Sequence, residues 1–313
     1  MKNKIGKPNL EVFAETLLEQ AKQNNNIITV TSDSRGSGKL VPFGEVLPNQ
    51  IVEVGIAEQN LVGVSAGLAA GGKIVFAVSP ASFLTARSLE QIKNDVAYSN
   101  QPVTLVGISA GVSYGQLGST HHSLHDFAAL RAINNISIVA PADNFEAIEV
   151  IKQAVNYNKP LYIRYGKKPM IDLPRYTPKF KIGKASIIKE GSDLTLVATG
   201  ETVQRAYLAS LILKDKGLDV EVISMHTIKP FDNETLINSI KKTKVLVSIE
   251  EHSVYGGLGE CCSSIISQGG YDTKFKILGI PDEYMINGTQ ADVLDHYRMS
   301  PEKIADASLT LLD

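Results

Sequence analysis

The chain has 313 residues, 43% hydrophobic and 20% charged, with a formal net charge of -2. That composition excludes a disordered chain and offers no electrostatic case for a nucleic-acid or membrane partner. No run approaches the ~18 apolar residues of a membrane span, since Lys73 interrupts the longest candidate, and Met1-Lys2-Asn3-Lys4 leads into no apolar signal core. The two cysteines, Cys261 and Cys262, are adjacent, so a stabilising disulfide between them is not expected. A soluble, cytoplasmic protein is expected.

Helical spacing comes first, over 11–25, with Phe13, Leu17, Leu18 and Ala21 on one side. Short β-branched runs follow: Ile27 to Thr31, Val52 to Val54, Ile74 to Val78, Val103 to Ile108, Ile136 to Val139 and Leu161 to Ile163. Helical patterns at 57–70, 83–98, 124–133 and 144–157 separate most of them. From Gly166 to Ala185 the periodicity lapses around Pro169, Pro174 and Pro178, which predicts an extended connector. The alternation then resumes with Leu194 to Ala198, Val220 to Ile223, Val245 to Ile249 and Phe275 to Ile280, between helical patterns at 202–216, 233–241 and 258–268. The expected fold class is α/β, with two domains, each a mainly parallel sheet covered by helices. The first domain is expected over 1–168 and the second over 188–313, joined by the connector 169–187.

One segment carries chemistry by its placement. Gly55-Ile56-Ala57-Glu58-Gln59-Asn60 lies between the apolar stretch Ile51 to Val54 and Leu61-Val62-Gly63-Val64-Ser65-Ala66-Gly67-Leu68. It reads as a strand handing over to a helix, with Glu58 on the same helical face as Leu61, Ser65 and Leu68. A first-turn glutamate can simply complement the helix dipole. An acid heading an apolar face can also be a proton-sharing group. Two further blocks accompany it: Gly115-Gln116-Leu117-Gly118-Ser119-Thr120-His121-His122 followed by Asp126 to Arg131, and Glu250-Glu251-His252-Ser253 with Tyr255-Gly256-Gly257-Leu258-Gly259.

The three blocks, in order and over nearly the whole chain, resemble the pyrimidine-binding and C-terminal domains of the transketolase family. The resemblance implies a thiamine diphosphate enzyme that transfers a two-carbon ketol unit from a ketose to an aldose acceptor. It implies that Glu58 shares a proton with the aminopyrimidine of the cofactor, that Phe83 lies against that ring, and that Asp33 sits near the cofactor. It also implies that His121 contacts substrate hydroxyls and transfers protons, and that Ser37 and Arg164 bind the sugar phosphate. By residue type alone, Phe83 is equally a core residue of its helix, Asp33 and Ser37 form a turn-rich loop, and Arg164 is a charge ending a strand.

The chain contains no Gly-Asp-Gly turn, no Walker-type phosphate loop and no zinc spacing of cysteines and histidines. His121 and His125 are four apart but lack a third ligand, so no metal is expected on this chain. The resemblance is thus to the C-terminal half of a transketolase. It implies a partner, the N-terminal subunit that supplies the diphosphate site and holds Mg2+ or Ca2+, in a heterotetramer of two copies of each. Alone the chain is expected to be inactive.

Three positions depart from the family pattern. An arginine of the first helix is Leu10, a histidine before the glycine loop is Ser109, and an aspartate within the loop is Leu117. Loss of these polar groups points away from the usual pentose phosphates and toward a ketose with a different terminal group, branched or sulfonated. Two other readings remain open here: the beta subunit of a 2-oxoacid dehydrogenase, and a non-catalytic partner that retains the fold.

Overall fold

The computed structural model describes residues 5–175 and 179–312; Pro178, one of the connector prolines, lies outside them. In the first half the strands are β1 (Ile5–Pro8), β2 (Ile27–Thr31), β3 (Ile51–Glu53), β4 (Ile74–Pro80), β5 (Val103–Ile108), β6 (Ser137–Val139), β7 (Leu161–Arg164) and β8 (Pro169–Ile171). In the second they are β9 (Ser186–Lys189), β10 (Leu194–Ala198), β11 (Val220–Ser224), β12 (Thr227–Lys229), β13 (Val245–Ser253) and β14 (Lys274–Ile280).

Every residue of β2, β5 and β7 is buried. That is why these strands read as unbroken apolar runs: helices cover both faces of a parallel sheet, so no face needs polar residues. The large sheet runs β12-β6-β7-β5-β4-β2-β3 and is parallel except for β12. The second sheet runs β14-β13-β10-β11-β9, with only the edge strand β9 antiparallel. The two-domain α/β fold is thus what the alternation predicts.

The structure differs from the sequence-based expectation in three places. The connector is not structureless, because β8 pairs with β1 in an antiparallel ribbon and β9 edges the second sheet. β12 leaves the second half of the chain to pair with β6, closing the edge of the first sheet. These strands span three or four residues, too few for a period to register. The helix expected over 83–98 is interrupted. Ala81–Arg87 ends at Ser88, whose hydroxyl donates back to the Leu84 carbonyl, and Leu89–Gln91 then passes into a π-wound turn, Ile92–Tyr98.

Candidate active site

The helix Glu58–Ala70 starts from a tight turn in which Gly55 takes φ +74, a conformation that favours glycine although nothing crowds its missing side chain. Leu61, Val62, Ser65, Ala66 and Ala69 anchor its inner face. Glu58 is thereby carried into the protein and is only 4% exposed. Its carboxylate is not left alone. Arg87 Nη1 donates to Oε1 at 3.1 Å and to Oε2 at 3.0 Å, and the same guanidinium lies 4.6 Å from the centroid of Phe83. Ile56, Ala57, Glu58, Gln59 and Arg87 line a cleft of about 400 Å³ there, large enough for a small-molecule ring.

From Phe83 the site continues as a line of rings. His121 meets Phe83 edge-on at 5.2 Å, and Tyr114 meets His121 edge-on at the same 5.2 Å. Lys167 Nζ then sits 4.6 Å over the Tyr114 ring. Partial burial pushes the Lys167 ammonium below its usual range, and the charges of Lys39 and Lys168 push it the same way. Among the described residues Lys167 has no carboxylate partner, whereas nearby Lys39 is paired with Glu11 at 3.2 Å. A half-buried cation crowded by like charges is a ready anion site. The structure therefore brings Glu58, Phe83 and His121 together, and adds Arg87, Tyr114 and Lys167.

Asp33 and Ser37 sit on the loop after β2. Asp33, at φ +52, is exposed, and its N–H donates to Glu53 Oε1 at 2.7 Å. Glu53 also accepts from the Gly55 N–H at 2.9 Å and the Thr31 hydroxyl at 2.8 Å, so one carboxylate ties the Asp33 loop to the turn that launches Glu58. Burial raises the Glu53 pKa, but these hydrogen bonds and the Arg35 charge outweigh it and hold the carboxyl below its usual range. Ser37 is half-buried, its hydroxyl donating to the Ser34 carbonyl at 3.2 Å, two residues before Lys39.

Arg164 does not join this site. It is 6% exposed, ion-paired through Nε to Asp126 at 2.9 Å, and donates from Nη2 to the carbonyls of Ser123 (3.0 Å) and Glu251 (2.7 Å). Its guanidinium lies 4.5 Å over Phe127. The cavity beside it, shared with Glu201 and Glu251, holds about 10 Å³, room for a water and not for a sugar phosphate. Here Arg164 instead lies in the seam between the two sheets. The Glu250-Glu251-His252 block belongs to the same seam. Glu251 accepts from the Val112 N–H and the Gln290 amide, both at 2.9 Å. Glu250 caps the N–H groups of Leu258 and Gly259 at 2.6 and 2.8 Å. His252 stacks on Phe127, and burial drives its pKa down to about 4.

The three departures also find distinct places. Leu10 is a core residue, 1% exposed, so an arginine there would bury a charge. Ser109 is buried at φ +54, with a hydroxyl that has no partner among the described residues. Leu117 is 55% exposed on the short turn Gly115–Leu117. His122 is buried and shares a hydrogen bond with the Gly115 carbonyl, which fits a structural role, whereas His125 is exposed beside Thr85. Among the described residues no group of three His, Cys, Asp or Glu side chains could hold a metal ion. Both cysteines are buried and free, and no helix of the described residues is long and apolar enough to cross a membrane.

A parallel-sheet domain with a buried glutamate beside a cleft and a phenylalanine and histidine in contact next to it, joined to a second α/β domain, matches two family models. Residues 8–170 match the transketolase pyrimidine binding domain and residues 183–304 the transketolase C-terminal domain. The chain belongs to the transketolase family. It is 44% identical, over 95% of both chains, to a protein of Phocaeicola vulgatus named as a subunit of apulose-4-phosphate transketolase. It is 34% identical over 82% of its length, and 80% of the other's, to a 6-deoxy-6-sulfo-D-fructose transketolase subunit of Clostridium sp.. A solved split-gene transketolase, described as an inactive beta4 tetramer, superposes with a TM-score of 0.87 at 31% identity, over 98% of each chain. This protein is accordingly one subunit of a split, thiamine diphosphate-dependent transketolase and works with a partner subunit. The dehydrogenase and non-catalytic readings fall away.

Proposed function

We propose that the line from Glu58 to Lys167 is this subunit's share of a ketol-transferase site, and that a partner carrying the Gly-Asp-Gly turn supplies the diphosphate contacts and the divalent metal. The single observation that carries this is the run of contacts from a buried carboxylate through Arg87 to two aromatic rings, a histidine and an ammonium with no carboxylate partner among the described residues. When bound, thiamine diphosphate supplies the carbon nucleophile that cleaves and remakes the sugar's carbon–carbon bond.

This chain's residues orient that group and move protons around it. Glu58, nearly dry, holds a proton at the pyrimidine ring nitrogen, and Phe83 presents its face to the ring. His121, held edge-on between two rings, is placed to take or return a proton at a sugar hydroxyl, with its Nδ1 2.9 Å from the Thr120 hydroxyl. Lys167 anchors the anionic end of the sugar, in the role first expected of Arg164. Asp33 and Ser37 keep their expected roles near the cofactor and at the sugar phosphate, on a loop that Glu53 ties to the turn before Glu58. Two relatives are named for apulose 4-phosphate and for a sulfonated fructose. That supports a branched or sulfonated ketose as the substrate, because each bears an anion for Lys167 and Leu117 replaces a polar group in the loop. The working assembly is two copies of each subunit, in the cytoplasm where phosphorylated sugars are handled.

Reconstitution tests this. The chain mixed with a partner bearing the diphosphate turn should transfer ketol units and the chain alone should not; transfer by the purified chain alone would overturn the split-site reading.

A further inference from the structure

Arg87 is a charged residue of the cleft that the proposed chemistry leaves without a task. Its position is specific. One nitrogen of a flat cation, Nη1, is shared between both oxygens of Glu58, at 3.1 and 3.0 Å, while its central carbon lies 4.6 Å over Phe83. Those are the two groups that a planar, protonatable aminopyrimidine needs: a carboxylate for its edge and an aromatic ring for its face. Yet Arg87 is no part of the packed fold. Half its side chain is exposed (51%), against 4% for Glu58. It ends the short helix Ala81–Arg87, and the following residue, Ser88, has left helical geometry at φ -109, ψ 22.

We propose that Arg87 is a built-in occupant of the pyrimidine seat, holding Glu58 and Phe83 in the free subunit until the cofactor's ring displaces it. The idea rests on the cleft being the thiamine site. Its physical basis is that a buried carboxylate without a partner is strongly disfavoured. A half-exposed arginine supplies that partner at little loss of side-chain freedom and can swing back into water when a better-matched ring arrives. The ring then binds only to molecules whose arginine has swung out, so apparent affinity is the intrinsic affinity scaled by that open fraction. Arg87 would thereby set how tightly the assembled enzyme holds thiamine diphosphate, and it would keep the acid satisfied before assembly.

The test is a thiamine diphosphate titration of the reconstituted pair, reading cofactor Kd and association rate, with the KM of the sugar as control. Arg87→Ala should tighten the Kd by roughly 3- to 10-fold and speed association, and the gain should vanish in a Glu58→Gln background. Arg87→Lys keeps the charge beside Glu58 but has no planar guanidinium to lie over Phe83; it should tighten binding less, and it carries the test if Arg87→Ala does not fold. Unchanged or weaker cofactor binding in both variants would overturn the proposal. So would a raised sugar KM with unchanged cofactor Kd, which would make Arg87 a substrate contact. Glu58→Gln alone separates the two ideas. Cofactor binding and transfer indifferent to that change would sink the thiamine reading itself. Sensitivity to it without tightening by Arg87→Ala would sink only the displacement by the ring.

Discussion

Glu58 and Arg164 are nearly equal in exposure, at 4% and 6%, and each is held by a charge of opposite sign. They differ in what stands on their other side. Glu58 opens, through a half-exposed arginine, onto a cleft of about 400 Å³. Arg164 faces two main-chain carbonyls, a buried aspartate and a cavity of about 10 Å³. Burial of a charge therefore marks a site only where its partner can be exchanged. Where every partner is itself buried, the charge is part of the frame.

The comparison is broken most directly by removing each charge. Arg164→Met should destabilise the chain by about 3–5 kcal/mol, because it strands Asp126 and two carbonyls in the seam; chemical denaturation measures this. A variant with unchanged stability would show that Arg164 is not part of the frame. Glu58→Gln should act the other way round. Ketol transfer by the reconstituted pair should fall ~100-fold or more, while the unfolding free energy changes by less than ~1 kcal/mol, since its Arg87 partner is half in water. Turnover near normal at saturating cofactor would reduce Glu58 to a first-turn acid.

Lys167→Ala sharpens the same contrast on the substrate side. Loss of a charged contact of about 1.5–3 kcal/mol should raise the KM for a phosphorylated or sulfonated ketose at least tenfold and leave an uncharged ketose untouched. Equal effects on both sugars would remove Lys167 from the anion site.

The smallest expected effect lies in the seam, where buried titrating groups oppose one another. Burial raises Glu201 and Glu250 to about 7 from the ordinary 4.5, so their stabilising share is full below about pH 4.5 and is lost as pH rises through 7. Burial lowers His252 to about 4 and His226 to about 3 from 6.5, so their share is full above about pH 6.5 and is lost as pH falls. Between about pH 4.5 and 6.5 the two trends partly offset. Glu201→Gln removes one opposing group, so stability should fall more steeply on acidification, by up to about 1.4 kcal/mol per pH unit. Denaturant midpoints across that range check it, and an unaltered slope would show that Glu201 holds no extra proton.

Much of the fold is legible in the sequence because parallel strands buried on both faces leave long apolar runs. The Gly55-to-Asn60 block is legible too, since the turn, the acid and the helix are local to it. Arg87 carries a signal of its own, which residue type alone does not flag: it lies four residues after Phe83 and so on the same helical face. Lys167 carries none. Only the bend at Lys167 and Lys168, after the buried end of β7, sets it over Tyr114.

The sequence by itself determined the two-domain α/β plan, the acid at the head of its helix and the want of a diphosphate turn, because each follows from local spacing or from residues simply not being there. Only the tertiary structure decided which charges are exchangeable. Arg164 is expected at the sugar phosphate and Leu10 stands where the family has an arginine, yet one is held by Asp126 and Glu251 and the other is packed in the core around Phe13. Whether a charge meets a cleft or a carbonyl depends on neighbours distant in sequence: Arg164 is 87 residues from Glu251 and Glu58 is 29 from Arg87. No periodicity along the chain encodes those approaches; the packing of helices on sheets creates them.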